Sequence, residues 1–155
     1  MTTQIALCHC VTLTAPSGLA YRFQNFFIGS TCRQNDDAFQ FAPFGFSGVT
    51  FNRSGENSEA TIVFANKDLI REFVNNAVTQ RWTAEVLTCA VTDIENKDLT
   101  TLYSYSGSVS GGVWKGESLG LSLTSILDAV SSNVPTRNLE VAQVGPLPIS
   151  GGINL

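Results

Sequence analysis

Along most of this chain apolar and polar residues alternate with a period of two, the pattern of strands whose side chains point to opposite faces. Residues 4–14 open with it: Ala6, Cys8, Cys10 and Thr12 fall on one face, and Leu7, His9, Val11 and Leu13 on the other. Pro16-Ser17-Gly18 then reads as a turn, and residues 19–28, rich in aromatics, as the returning arm of a hairpin. Residues 29–37 are polar and turn-prone, and residues 38–44 are short and aromatic. Pro43, which has no N–H to give a ladder, confines that segment to an edge or a strand end. Residues 46–52 and 59–65 read as a second hairpin around the hydrophilic turn 53–58. Beyond Gln80 the alternation resumes, with Trp82, Ala84, Val86, Thr88 and Ala90 on one face and Arg81, Thr83, Glu85, Leu87, Cys89 and Val91 on the other. A charged turn at 93–98 leads to a strand at 102–110. Gly111-Gly112 reads as a tight turn into a last strand at 113–123, opened by Trp114, where Leu119, Leu121 and Leu123 alternate with Ser118, Gly120 and Ser122.

One stretch breaks the alternation. Leu69, Ile70, Phe73, Val74, Ala77 and Val78 recur at helical spacing, with Arg71, Glu72, Asn75, Asn76 and Thr79 opposite. Asn66 is placed as the N-cap, and Asp68 lies in the first turn, where a negative charge suits the helix dipole. The stripe reads as core packing rather than a cofactor box. The expected fold is therefore mainly β, a sandwich or half-barrel with one packed helix at about 67–80, in a domain spanning 1–130. Residues 125–132 read as a short helix or extended chain. Residues 131–155 form a Gly/Pro-rich C-terminal arm that cannot pack a core alone. Its Leu139, Val141, Val144, Leu147 and Ile149 suit docking on a neighbouring subunit, the alternative being simple disorder.

Composition sharpens this picture. Only 14% of the 155 residues are charged, against a usual share of about 25%, so the surface must be built from Ser, Thr, Asn, Gln and Gly. That suits a surface that largely meets other protein. The net charge is −4 and the nine Lys and Arg are scattered, which leaves no basic stripe for nucleic acid. Met1-Thr2-Thr3-Gln4 starts no signal peptide, and no run approaches the roughly twenty apolar residues of a spanning helix. A chain of this size buries about two-thirds of its unfolded surface and needs no metal or disulfide staple.

Candidate chemistry is sparse. Cys8-His9-Cys10 has the look of a metal knuckle, yet structural zinc sites generally space their cysteines C-x₂₋₄-C and add a second ligand pair, and no second pair of that form follows. Cys8 and Cys10 read as small buried hydrophobes. A metal site, a disulfide, or a thiol paired with the lone His9 for catalysis are the alternatives, with Cys32 and Cys89 as the remaining thiols. There is no G-x-S-x-G, P-loop, H-E-x-x-H or dinucleotide fingerprint, so no enzyme is expected and no catalytic, cofactor-binding or metal residues are assigned. The acidic residues sit in turns, at Asp36-Asp37, at Glu56 and Glu59, and at Asp93, Glu95 and Asp98. Calcium binding by the first or last group is the alternative, but neither has EF-hand spacing, and solvated loops are the expected reading.

The order of these elements resembles the amino-terminal domain of the lambda-type phage minor tail protein L and related tail-tip hub proteins. The resemblance runs from Phe41-Ala42-Pro43 through Ser54-Gly55, the low-charge strand Ala60-Thr61-Ile62-Val63-Phe64-Ala65-Asn66, the helix and the strand from Trp82. It continues over Tyr105-Ser106-Gly107-Ser108-Val109-Ser110, Leu119-Gly120-Leu121-Ser122-Leu123-Thr124 and Val134-Pro135-Thr136-Arg137. It implies a tail-tube-like fold and a structural virion protein of a tail tip or baseplate hub, assembled in the host cytoplasm. It further implies a homo-oligomeric ring, a trimer ahead of a hexamer, that continues or closes the tail tube and meets neighbouring tube, distal tail or hub proteins. Longer members carry a cysteine-rich carboxy-terminal domain with an iron-sulfur cluster. The four cysteines here lie elsewhere, so no cofactor is carried over. The acidic sequence pI of about 4.8 suits a lumen that lets DNA pass. The alternative function is a small β-sandwich ligand- or carbohydrate-binding module that stacks sugars on Phe39, Phe41, Phe44 and Phe46.

Overall fold

The computed structural model describes residues 5–49 and 59–125. The expected turn at 53–58, the strand residues 50–52, the reading of 1–4, the helix-or-arm segment beyond Ser125 and the arm at 131–155 lie outside the described residues.

Among the described residues nine strands and one helix follow the alternation and the helical stripe: β1 (Leu7–Thr14), β2 (Ala20–Gln24), β3 (Thr31–Gln34), β4 (Asp37–Phe41), β5 (Phe44–Phe46), β6 (Glu59–Ala65), α1 (Asp68–Thr79), β7 (Thr83–Asp93), β8 (Asp98–Lys115) and β9 (Ser118–Ser125). The strands join in one mixed sheet in the order β3-β4-β2-β1-β7-β8-β9-β6-β5. β8 is the hinge of the architecture. Its first half pairs with β7 as far as Ser108, and its second half pairs with β9 from Gly107 onward, with a register shift between Val109 and Gly111. The sheet thus folds over on itself and brings β2 opposite β6, where the rings of Phe23 and Phe64 meet at 6.2 Å. The main core fills this fold with Val11, Leu13, Val86, Ile62, Phe64, Leu119, Leu121 and Leu123, each at most 1% exposed. Burying a side chain of this size contributes about 1.5–3 kcal/mol.

α1 closes one end. Ile70, Val74 and Ala77 are buried, and Phe73 packs on Tyr21 with ring centroids 4.5 Å apart. Tyr21 in turn stacks on Trp82 at 5.4 Å. The mainly β fold with one packed helix is as expected, and α1 lies within a residue of its expected ends at both termini.

Several local expectations are corrected. Lys67, not Asn66, is the N-cap, and no side chain caps the helix. Asn66 is used otherwise: its Nδ2 donates to the Gly116 carbonyl at 2.6 Å, and its Oδ1 accepts from the Arg71 guanidinium. Gly111-Gly112 is no turn but part of β8, paired with Ser122 and Leu121 of β9 just past the register shift that follows Val109. A Cβ on Gly112 would stand 2.9 Å from Cγ2 of Val78, so helix and strand approach as closely as they do because this residue is glycine. The turn lies at Gly116, φ +49°, which puts Trp114 at the end of β8 rather than the start of the last strand. Residues 29–37 hold a strand, β3, which pairs with β4 across Asn35 and Asp36, both with positive φ. This is the backbone of a two-residue hairpin. β4 therefore stands one in from the sheet edge, while Pro43 does end it, and the pairing of the second hairpin begins at Phe44.

A second core lies on the opposite face. β1 and β7 each serve both: Val11, Leu13, Ala84 and Val86 point into the main core, while Cys8, Cys10 and Cys89, of opposite parity at the other end of the same strands, point into the second. Alternation places residues on faces; which face is buried changes halfway along the strand.

Candidate functional site

The second core is where the unusual chemistry gathers. It consists of Cys8, Cys10, Cys32 and Cys89 with Phe27 and Phe39, and Phe26, Leu87, Val91 and Leu99 pack around it. All four cysteines of the chain converge there, each at most 1% exposed and none in a disulfide. Register explains the meeting. Cys8 and Cys10 project from the same face of β1, Cys89 of β7 is the direct cross-strand partner of Cys8, and β3 brings Cys32 from beyond the hairpin at Asn35. Sequence reasoning placed the first pair correctly in the interior and found no second pair of zinc-type spacing. The pair formed by Cys32 and Cys89 is assembled by the sheet.

Cys10 is the centre of the group. The neighbouring thiols of Cys32, Cys8 and Cys89, together with burial, push its own ionisation far up. The same interaction is the largest influence on each outer thiol and pulls Cys8 and Cys32 down and Cys89 down to about 7. The Cys8 thiol donates to the His9 carbonyl at 3.8 Å, and the charge of Lys97 favours the Cys32 thiolate. The Thr101 hydroxyl lies 3.8 Å from the Cys89 sulfur. Nε2 of the buried Gln34 donates to Thr101 Oγ1 at 2.6 Å. As the side chains stand, no group of three or more His, Cys, Asp or Glu among the described residues is arranged around a point that could take a metal ion.

Gln24 builds the roof over these thiols. It is fully buried, its Nε2 donates to the Phe27 and Ser30 carbonyls at 2.8 and 3.1 Å, and its Oε1 accepts from the Phe26 and Phe27 amides at 2.8 and 2.7 Å. Next to it, Asn25 ties three strands: Oδ1 accepts from the His9 amide at 2.8 Å, and Nδ2 donates to the Phe44 carbonyl at 3.2 Å. Nδ2 also lies 3.4 Å from His9 Nδ1. His9 points to the face opposite the cysteines, against Phe46 at 5.8 Å, so β1 separates imidazole from thiols and no Cys–His pair forms. Burial lowers its ionisation below the ordinary histidine range.

The phenylalanines proposed as a sugar platform do not make one, since Phe39 and Phe44 are interior. Asp93 spends its carboxylate on the turn, accepting from the Glu95 and Asn96 amides and the Asn96 side chain, and these bonds hold its ionisation down. Apolar surface is left elsewhere. Leu102, Tyr103, Val113 and Trp114 of β8 and Val63 of β6 are exposed, and a groove of about 540 Å³ runs between Phe26, Ile28, Phe41, Pro43 and Val63. No helix of the described residues is long and apolar enough to cross a membrane.

No protein-family model and no curated protein sequence matches this chain. Its fold is similar to that of a chain in the solved structure described as the virion of a native gene transfer agent particle, with a TM-score of 0.54 and 12% identity. The likeness covers 83% of this chain and 42% of that one, so the chain spans less than half the length of the protein it matches. The likeness is one of fold, shared over most of this chain with a chain of the gene transfer agent virion.

Proposed function

We propose that this chain is a structural protein of a phage-like tail tip or baseplate hub, a ring-forming subunit that continues or closes the tail tube, and that it is not an enzyme. The observation that carries this reading is the shared fold with a virion component over 83% of the chain. The element order resembling the tail protein L family supports it from the sequence side. A ring requires two different, complementary faces on each subunit. The surface offers material for them: few charges, and apolar side chains such as Leu102, Val113 and Trp114 standing in solvent on β8. Its partners on this reading are further copies of itself, a trimer ahead of a hexamer, and adjoining tube, distal tail or hub proteins in the virion. The test is the mass of the purified full chain by light scattering over a wide concentration range, alone and with co-expressed tail proteins. A discrete cyclic oligomer, or stoichiometric capture by a tail protein, is the expected result. A chain that stays monomeric and binds no tail protein overturns the proposal.

A further inference from the structure

We propose that the apolar groove between Phe26, Ile28, Phe41, Pro43 and Val63 is the docking site for residues 144–155 of a second copy of this chain. The inference rests on the ring reading above and supplies the joint between its subunits. The groove has a volume of about 540 Å³, and the described residues that line it carry no charge. Its walls stand in solvent: Ile28 is 81% exposed and Val63 41%. Apolar surface gathered in a concave site gains stability when an apolar segment covers it.

The sequence supplies such a segment. Residues 126–155 follow β9 and lie outside the described residues. Glu140 is the last charged residue of the sequence, and the fifteen residues after it carry no charged side chain. A charge set against uncharged walls would lose its hydration with no partner to replace it, and this segment has none to lose. Leu147 and Ile149 offer apolar side chains two residues apart, between and beyond Pro146 and Pro148. Each proline brings one N–H fewer to be satisfied in an apolar groove. The residues before them, Gly145 and Leu147, are restricted toward extended conformations, which lowers the entropy lost on docking. Proline-containing segments seated in aromatic-lined grooves are a recurrent mode of recognition, and Phe26 and Phe41 supply the aromatic walls.

The direction of β9 selects a second copy over the chain's own groove. Ser118, where the strand begins, lines the groove, and Ser125, where it ends, is seven residues on, about 23 Å away along a strand. The chain thus passes Ser125 far from its own groove and running away from it. Residues 126–143 can span at most about 60 Å, ample to reach a neighbour. A segment leaving at one place and a groove at another make a heterologous contact, which closes a ring when the rotation between copies allows it.

The experiment uses full chains carrying Ile28→Asp, which sets a charge in the groove at a side chain already in solvent, or Leu147→Asp, which sets one in the docking segment. Each variant alone should need a concentration at least about tenfold higher than the unmodified chain to assemble, read by light scattering. Mixed one to one, the intact segment of the Ile28→Asp copy should still enter the intact groove of the Leu147→Asp copy. The mass should then be that of a heterodimer that grows no further. Position is read by placing a photo-cross-linking side chain at Ile149 in a mixture of light- and heavy-nitrogen full chains. Cross-links to groove peptides holding Ile28, Phe41 or Val63 should join light to heavy copies. Rings formed by both variants at the unmodified concentration leave the ring reading standing and overturn this inference. So do cross-links confined to single copies, cross-links to another surface, or no light-to-heavy cross-link at all. Light-to-heavy cross-links to the groove in open head-to-tail chains uphold the inference and overturn the ring.

Discussion

Replacing Gln24 by Leu tests the logic of the second core most sharply. The side chain is fully buried and makes four hydrogen bonds to the backbone of residues 26–30. Leucine keeps the volume and removes every one of them. At about 1 kcal/mol net for each bond, and with the Phe27 amide left in an interior where no water replaces the lost oxygen, the loss sums to roughly 4 kcal/mol. The added apolar burial offsets about 1 kcal/mol of this. The expectation is a destabilisation of about 3 kcal/mol, read as a lower urea midpoint at unchanged slope, or roughly 6–12 °C in Tm for a domain of this size. Gln24→Glu separates hydrogen bonding from shape. A carboxylate can accept from the Phe26 and Phe27 amides but cannot donate to the Phe27 and Ser30 carbonyls, so its pKa is raised in the folded state. Its stability should therefore recover as pH falls toward the unfolded carboxyl value and worsen as pH rises through the folded one. A Gln24→Leu variant within about 0.5 kcal/mol of the parent would refute the reasoning.

Gly112→Ala should cost about 1–3 kcal/mol by forcing a methyl onto Val78 Cγ2. Adding Val78→Ala should recover part of that loss, so a double-mutant cycle by urea denaturation should give a clear coupling energy, and simple additivity would count against the close approach. Asn66→Ala, which removes the tie from helix entry to the β8–β9 turn, should cost about 1 kcal/mol in the same assay. His9 has a folded pKa below its unfolded value, so the unfolded state binds more protons in that window. Its contribution is present above about pH 6.5 and is lost as pH falls toward the folded value. His9→Gln should flatten the acid limb of a Tm-against-pH curve, and an unchanged limb would contradict the assignment.

The parts of the fold legible in the sequence are those fixed by short-range patterns. The opening hairpin followed from alternation around Pro16-Ser17-Gly18, and α1 from the stripe Ile70, Val74 and Ala77. The parity of Cys8 and Cys10 was equally clear. What stayed hidden depends on contacts far apart in the chain. Alternation in β1 and β7 could not reveal that the buried face switches between Cys10 and Val11 and between Val86 and Cys89, because that is set by the sheet folding over at β8. β3 was masked by its polar residues, although Asn35-Asp36, two residues that tolerate positive φ, carried the hairpin signal. Without β3, Cys32 had no place beside Cys89, and the four-thiol cluster could not be assembled from spacing alone. Gly111-Gly112 misled for a physical reason: glycine serves tight turns and close packing equally, and here Val78 of α1 decided between them.

Negative-stain imaging of the purified full chain, alone and with co-expressed tail proteins, tests the proposed role as a ring-forming tail-tip subunit most directly. The expected result is class averages of a closed ring with a central hole and threefold or sixfold symmetry, or the same ring seated on the end of a tube. Single particles of monomer size at every concentration, unchanged by the tail proteins, would contradict it.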